Sequence, residues 1–512
     1  MRTERRRMAE KTLGELVEGL APLDASGGGN VLIQGISNDS RRIRPGFLFV
    51  CIQGFKDDGH RYVPEALERG AAAVVVESPL SRPVNVPVIR VADARKALAL
   101  LSARFYDHPS AHLTLIGVTG TQGKTTTTYL TEAILREAGI RTGLIGTVVQ
   151  RVGEREKRST LTTPESLEIQ RLLDQSVRAG ITHVVMEVSS HALALHRVAG
   201  CDFDIAVFTN VSSDHMDLHG TRRKYLDIKA TLFGQLGADP TKCAIVNVDD
   251  RQSGRILDAT RCRILTYGIH REAALTAGHI TAGLRALDFV AYTSRGRTPI
   301  HMGLTGTFNV YNALAATGVG LCLDLDLETI KRGLEGVASV PGRFELIELG
   351  QDFLVIVDFA HTAAAMEQLL TTTRPFTQGR IITVFGCPGE RDKTKRRIIG
   401  QVVSRLSDHA ILTTDNPASE DPRQIAEQIK AGMRRVRRGC TYEIILDRAE
   451  AIARAVSLAR QGDAVILAGK GHEEYQIMKT GLVPFSDREV ARDALQAEKK
   501  VAAQIGHSAT ER

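Results

Sequence analysis

Apolar residues along this chain fall into short unbroken runs separated by stretches with helical spacing. Up to about residue 112 the strand-like runs are 47–52 (Phe-Leu-Phe-Val-Cys-Ile) and 73–77, with a helical stretch at 63–69 between them. Leu13, Leu16, Val17 and Leu20 repeat like one helix face. A small α/β domain is predicted, followed by a linker at His108-Pro109-Ser110. Ser26-Gly27-Gly28-Gly29 reads as a flexible turn. From Leu113 onward, buried-type runs at 114–118, 183–187, 205–209 and 244–248 accompany helical patterns at 125–137 and 165–179. Strands alternating with helices predict a parallel, doubly wound sheet. Pro341-Gly342-Arg343 reads as a hinge. A second series of strands follows at 353–358, 381–385, 409–413 and 464–468. Ile425, Ile429, Met433 and Val436 form one apolar helical stripe, with Arg434, Arg435, Arg437 and Arg438 on its wet side.

The expected fold class is α/β with three domains. A small N-terminal α/β domain spans 1–112, a central P-loop doubly wound sheet 113–341, and a C-terminal Rossmann-like α/β domain 342–505. The length of 512 residues agrees with about three domains.

Composition narrows the class. With 43% hydrophobic and 24% charged residues, the chain is neither disordered nor fibrous. No apolar run reaches the roughly 18 residues of a membrane-spanning helix. Arg2, Arg5, Arg6 and Arg7 are not followed by the apolar core of a secretory signal. A cytoplasmic protein is expected. The net charge of +7 is small for this length and suits an enzyme that handles anions; neither nucleic acid nor a membrane is expected as a partner. Seven cysteines without a C-x-x-C pair suggest reduced thiols and argue against a cysteine metal site.

The clearest chemical signal is Gly117-Val118-Thr119-Gly120-Thr121-Gln122-Gly123-Lys124-Thr125-Thr126, after a predicted strand and before a predicted helix. Glycines let backbone N–H groups curl around phosphate oxygens, and the helix start adds partial positive charge. Lys124 can reach the outer phosphates and Thr125 can hold Mg²⁺. The strict phosphate-loop pattern fails at one position, where Val118 replaces the first glycine. Nucleotide binding is the expectation.

A second set of motifs runs in order over nearly the whole chain. It comprises Asp39-Ser40-Arg41 with Pro45-Gly46, Asp58-Gly59-His60, Thr162-Thr163-Pro164, Glu187-Val188-Ser189-Ser190-His191 with Arg197, Thr209-Asn210, Asp214-His215, His219-Gly220 and Lys229. It continues with Asn309 and Asn312, Gly342-Arg343-Phe344-Glu345, Asp358 with Ala360-His361-Thr362, Phe385-Gly386-Cys387, Arg391-Asp392, Asp415-Asn416-Pro417 and Gly469-Lys470-Gly471-His472-Glu473. Together with Gly120–Thr126 these resemble the Mur ligases, which build the peptide of the bacterial cell wall. The order fits the branch that adds a third residue to UDP-N-acetylmuramoyl-L-alanyl-D-glutamate.

The resemblance implies an ATP-dependent, amide-forming reaction. The γ-phosphoryl of ATP turns a carboxylate into an acyl phosphate, and the amine of a diamino acid displaces phosphate. Negative charge gathers during the first step, which calls for metal ions and cations. The implied catalytic residues are Lys124, His215 and Lys229. Thr125 and Glu187 would hold one Mg²⁺; His215 and Lys229 would serve the second. A lysine suits a hard cation only if carbamylation makes it an oxygen donor, and Lys229 is the implied modified residue. Taken alone it reads as a surface helix lysine. ATP would meet Gly120, Thr121, Gln122, Gly123, Lys124, Thr125, Thr126, Asn312, Arg343 and Asp358. The UDP-muramoyl dipeptide would meet Ser40, Thr162, Thr163, Ser189 and Arg197. The incoming amino acid would meet Arg391, Asp415, Asn416, Gly469 and Glu473.

Local alternatives accompany several of these. Thr162 and Thr163 could cap the helix that follows Pro164. Asn312 could be a helix-surface amide, and Arg391 a solvated side chain. A hydrolase built on Ser189-Ser190-His191 is disfavoured because no G-x-S-x-G elbow surrounds it. The chain also departs from the family pattern. Gln122 replaces Asn, Leu195 replaces Gln, Phe359 replaces Tyr, Ala363 and Ala364 replace Pro-Asp, and Pro388 and Glu390 replace Gly and Asp. Ala418 stands where enzymes adding diaminopimelate carry an Arg whose fork can grip the distal carboxylate. Diaminopimelate and L-lysine therefore both stay open as the third residue. The competing functions are a related amino-acid ligase acting on another carboxylate and a non-catalytic nucleotide-binding paralogue. A monomer is expected, as is an open arrangement with third-domain residues away from Lys124.

Overall fold

A computed structural model describes residues 10–54, 57–212, 220–437 and 439–510, with side chains described up to residue 500. His215, together with Asp214 and His219, lies outside the described residues, as do Arg438 and the arginines of the first nine positions.

The first unit is built on a five-stranded sheet in the order Asp24–Ser26, Val88–Arg90, Ala71–Val76, Phe47–Val50, Gly35–Ser37. Only the first pair is antiparallel. Its central strands are apolar at consecutive positions because both faces are covered: Leu48, Val50 and Val75 pack toward helix Ala94–Phe105, and Phe49, Val74 and Val76 toward Val63 and Ala66. Ser26 belongs to an edge strand, so the glycine turn begins one residue later than expected. Helix Leu13–Val17 is short and ends before Leu20, but its capping box, with Thr12 and Glu15 bonded reciprocally, matches the strongest part of the pattern. His108-Pro109-Ser110 is not a free linker. Pro109 and Ser110 are buried in a 3₁₀ turn, and Ser110 Oγ accepts from Asp202 N at 3.1 Å.

The middle unit carries an eight-stranded sheet in the order Arg155–Arg158, Val149–Val152, Thr142–Ile145, His183–Glu187, Thr114–Thr119, Ile205–Phe208, Cys243–Asn247, Arg263–Tyr267. Its six strands from Thr142–Ile145 onward are parallel. Thr114–Thr119 lies at the point where the chain turns from building one side of the sheet to building the other. Such a switch point opens a crevice at the carboxyl ends of the strands. Helices Lys124–Glu137 and Phe308–Cys322 share one apolar core with the sheet, and helices Ser166–Arg178 and Arg222–Gly234 lie in the second core.

Several elements of this unit went unseen in the apolar pattern, among them strands Thr142–Ile145, Val149–Val152 and Arg263–Tyr267. Strand Arg155–Arg158 is fully charged and exposed, so no apolar run marks it. A separate antiparallel sheet of Thr276–Ala282, Leu287–Thr293 and Gly296–Met302 buries alternate residues such as Leu287, Phe289, Ile300 and Met302. That period of two lacks the continuous runs used to find the parallel strands.

The third unit holds a sheet in the order Glu345–Leu346, Leu354–Asp358, Ala464–Ala468, Ile381–Phe385, His409–Leu412, Thr441–Ile444, parallel after the first pair. The predicted helical stripe is shorter than expected. Helix Pro422–Met433 buries Ile425, Ile429 and Met433 and stops, leaving Val436 half-buried beyond it and Arg434, Arg435 and Arg437 exposed past its end. Gly342 is pinned rather than free to hinge. It has φ +66°, and an added Cβ would stand 2.2 Å from His472 N.

Candidate active site

The phosphate loop leaves strand Thr114–Thr119 at the switch point and enters helix Lys124–Glu137. Two of its glycines are dictated by close approach. Gly120 has φ +154°, and a Cβ there would lie 1.9 Å from Thr209 Oγ1; Gly123 has φ +82°, and its Cβ would lie 2.4 Å from Asn312 Oδ1. The loop is held from outside by Asn210. Its backbone O accepts from Thr121 N at 2.8 Å, and its Oδ1 accepts from Gln122 N at 3.0 Å. Gln122 O accepts from Thr209 Oγ1 at 2.6 Å. Lys124 Nζ donates to the carbonyls of Gly120 and Thr121 at 3.0 and 2.9 Å, poised over the loop.

Thr125 Oγ1 donates to Glu187 Oε2 at 3.0 Å. Glu187 ends the neighbouring strand and is fully buried. Its oxygens also accept from Thr147, N to Oε1 at 2.7 Å and Oγ1 to Oε2 at 2.9 Å. Buried carboxylates need such donors to offset lost hydration. Lys229 is buried in helix Arg222–Gly234, not on its surface. Its Nζ donates to Gly120 O at 2.8 Å and sits 4.6 Å from the centre of the Tyr225 ring. Asn312 is likewise buried and not a surface amide; it donates to Asn309 Oδ1 at 2.8 Å.

The positions matched to the dipeptide substrate, apart from Ser40, gather around the backbone of Glu187 and around Thr147 rather than on the carboxylate itself. Thr163 Oγ1 donates to Glu187 O at 2.7 Å and accepts from Ser189 N at 3.0 Å. Arg197 Nη1 donates to Thr163 O at 3.0 Å and pairs with Glu165 at 2.7 Å. Thr162 Oγ1 lies 3.2 Å from Thr147 Oγ1. Neither threonine caps the following helix, whose N-cap is Glu165 without a side-chain bond. Ser40 stays within the first unit, bonded to Glu65 Oε2 at 2.7 Å.

The third unit is closed onto the phosphate loop, contrary to the open arrangement expected. Arg343 Nη2 donates to Thr125 Oγ1 at 3.0 Å, and Gln122 Nε2 lies 3.5 Å from Thr362 Oγ1. Arg343 also lies 4.8 Å from the centre of the Phe359 ring. Asp358 stands behind it and accepts from Phe344 N and Ala360 N at 2.7 Å each. Burial raises the Asp358 carboxyl above the ordinary range, against the pull of Arg343. His472 packs 5.1 Å from Phe359 between ring centres, and burial drops its imidazole to about 3, so it stays neutral.

Farther into the third unit, Asn416 Nδ2 donates to Glu473 Oε2 at 2.9 Å. Lys470, fully buried, donates to Asn416 Oδ1 at 3.1 Å and to Glu473 Oε2 at 2.8 Å. Gly469, with φ +110°, would place a Cβ 2.6 Å from Asp415 Oδ2. Burial raises the Glu473 carboxyl; Lys470 opposes this and Asp415 adds to it. Behind the cluster Arg448 and Asp487 form a fully buried bidentate pair at 2.7 Å. Arg391 is exposed and bonds to no described residue, so the structure does not bring it to the cluster.

Sequence reasoning missed Thr147 and the Arg448–Asp487 pair, and it gave Lys470 no role although that residue lies in the Gly469–Glu473 motif. Thr147 follows the glycine after a buried strand, the usual place for a site loop, but nothing in its composition singles it out. An arginine with almost no exposed surface, such as Arg448, carries no signature in a linear pattern.

Three family descriptions match the chain: "Mur ligase family, catalytic domain" over 32–106, "Mur ligase middle domain" over 118–320, and "Mur ligase, glutamate ligase domain" over 342–471. A UDP-N-acetylmuramoyl-L-alanyl-D-glutamate--2,6-diaminopimelate ligase of Geobacillus thermodenitrificans is 47% identical, covering 92% of this chain and 96% of its own length. One of the same name from Caldanaerobacter subterraneus is 43% identical over 93% and 98%. A solved structure of a protein so named superposes with TM-score 0.66 at 30% identity, covering 96% of this chain and all of that one. A MurF ligase from Thermotoga maritima in complex with ADP shares the fold, with TM-score 0.61 at 19% identity over 91% of this chain and 98% of that one.

Proposed function

This chain belongs to the Mur ligase family, and on that premise we propose that it joins a diamino acid to UDP-N-acetylmuramoyl-L-alanyl-D-glutamate, the substrates its relatives' names carry, with consumption of ATP. The observation that carries this reading is the juxtaposition at Thr125. One hydroxyl joins the phosphate loop, the buried Glu187 carboxylate, and Arg343 of the third unit. Residues 1–112 would grip the UDP end, 113–341 the nucleotide, and 342–505 would close with the amino acid.

In this reading Lys124 and the loop N–H groups gather the ATP phosphates, and Arg343 adds a third-unit cation where charge develops. Asn312 and Asp358 border the nucleotide. Thr162, Thr163, Ser189 and Arg197 orient the glutamyl carboxylate, which takes the γ-phosphoryl to become an acyl phosphate. The diamino acid amine attacks that carbonyl, and phosphate departs. Asp415, Asn416, Gly469 and Glu473 receive the amino acid; Arg391 would have to swing inward to meet its carboxylate.

The donor set at Thr125 fits magnesium. A hydroxyl and a carboxylate oxygen are hard ligands, and Mg²⁺ commonly takes one or two protein oxygens, with water and substrate phosphates completing its shell. Magnesium would supply charge neutralisation at the phosphates. Lys229 as an ammonium does not fit a second cation. Carbamylated, it would present oxygens beside Gly120, and His215 would serve the same ion.

Two third residues are weighed. The relatives' names favour diaminopimelate. L-lysine is favoured by Ala418, which offers no guanidinium to a distal carboxylate. A cytoplasmic place serving wall growth, cell shape and division completes the proposal; among the described residues no helix is long and apolar enough to cross a membrane.

The test is phosphate release and product mass with ATP, the muramoyl dipeptide and a panel of diamino acids. Release that needs all three together supports the ligase. ATP hydrolysis indifferent to the muramoyl dipeptide overturns it. A Lys229→Ala protein as fast as wild type, without added bicarbonate, would defeat the carbamate.

A further inference from the structure

We propose that Thr147 is a positioning residue that fixes the Glu187 carboxylate and links the nucleotide side of the site to the acceptor side. The inference rests on the reading above, in which Glu187 and Thr125 face a nucleotide-bound cation and Thr162 faces the muramoyl peptide.

Three hydrogen bonds short enough to hold its plane reach the Glu187 carboxylate. Thr147 N supplies one oxygen at 2.7 Å; Thr147 Oγ1 and Thr125 Oγ1 supply the other at 2.9 and 3.0 Å. The backbone carbonyl of Glu187 is held separately by Thr163 at 2.7 Å. One residue thus binds both oxygens of the carboxylate, main chain to one and hydroxyl to the other, which blocks rotation about the last side-chain bond. The approach is possible because residue 146 is glycine. A Cβ there would stand 2.5 Å from Glu187 Oε1.

The hydroxyl of Thr147 has a single proton. An ionised carboxylate only accepts, so that proton points to Glu187. Thr162 Oγ1, 3.2 Å away on the other side, must then donate to Thr147. A directed chain results: Thr162 gives to Thr147, Thr147 to Glu187, and Thr125 also to Glu187 while accepting from Arg343. Thr162 is left with lone pairs facing outward. Bound acceptor that repositions Thr162 therefore changes what Glu187 receives, and a cation drawn to Glu187 changes what Thr162 can offer. Thr147 is the only member of the chain that touches both ends.

The experiment uses the full-length protein and its Thr147→Val, Thr147→Ala and Thr147→Ser variants. The first reading is Mn²⁺ affinity in the presence of a non-hydrolysable ATP analogue, followed by electron paramagnetic resonance, which needs no turnover. Loss of the hydroxyl in Thr147→Val or Thr147→Ala is expected to weaken Mn²⁺ about tenfold, the effect of one charge-assisted bond, with Thr147→Ser within about twofold of wild type. The second reading is ligation kinetics. Thr147→Val should lower kcat and raise the Mg²⁺ requirement while KM for the diamino acid stays put. Wild-type Mn²⁺ affinity in both Thr147→Val and Thr147→Ala overturns the proposal, as does a Thr147→Ser protein as impaired as Thr147→Val. A wild-type protein that binds Mn²⁺ with nucleotide but forms no amide overturns the ligase reading instead, and the Mn²⁺ comparison still judges Thr147.

Discussion

Arg343 Nη2 donates to Thr125 Oγ1 at 3.0 Å across a separation of 218 residues. The contact joins the first turn of the phosphate-loop helix to the third unit. Removing the guanidinium takes away a cation from the phosphate end of the site and the stacking partner of Phe359. Arg343→Met is expected to lower kcat/KM for ATP about a hundredfold, with Arg343→Lys intermediate because an ammonium lacks the planar fork. Steady-state kinetics decide it; an unchanged Arg343→Met enzyme would show the contact to be incidental.

Ala418 sits at φ +52° beside the Asn416–Glu473 pair, its N–H bonded to Ile477 O at 2.9 Å. Ala418→Arg keeps an L side chain on the same backbone and adds a fork for a distal carboxylate. Selectivity for diaminopimelate over L-lysine should rise tenfold or more, the weight of one charge-assisted pair. Competition between the two amino acids, read by product mass, checks it. No gain would place the distal group elsewhere.

Glu473 is raised by burial, with Lys470 opposing and Asp415 adding. A raised carboxyl takes up its proton at a higher pH than an ordinary glutamate and then no longer attracts an ammonium. KM for the diamino acid should therefore climb as pH falls through this raised value and stay level above it. In Glu473→Gln the slope should vanish and KM should be high throughout. A wild-type profile in the variant would remove Glu473 from the pocket.

Arg396 is fully buried and pairs with Glu420 at 2.9 Å, while also donating to Pro388 O at 3.0 Å. Hydrogen bonding from Arg396 lowers Glu420 to about 2. A lowered folded value means the stabilisation is complete above the unfolded pKa of 4.5 and is lost as pH falls from there toward 2. The lowering corresponds to about 3 kcal/mol. Acid unfolding should show this loss in wild type. Glu420→Gln should be flat in that window but start several kcal/mol lower, about 3–5, because a buried guanidinium is left unpaired. Equal acid limbs in the two proteins would refute the linkage.

The linear order of residues was enough to find the phosphate loop, since Gly120, Gly123, Lys124 and Thr125 act through neighbouring backbone and a helix start. Continuous apolar runs revealed most parallel strands for the same local reason: a strand covered on both faces must be apolar at every position. Tertiary structure decided the rest. Lys229 reads as a surface residue until the helix that carries it is packed against Gly120. Thr147 gains meaning only when the strand before it, Thr142–Ile145, lies beside the one ending in Glu187. The closed contact of Arg343 with Thr125 depends on how two units seat together. Side chains that act through partners distant in the chain have no periodicity, because it is the fold that makes them neighbours.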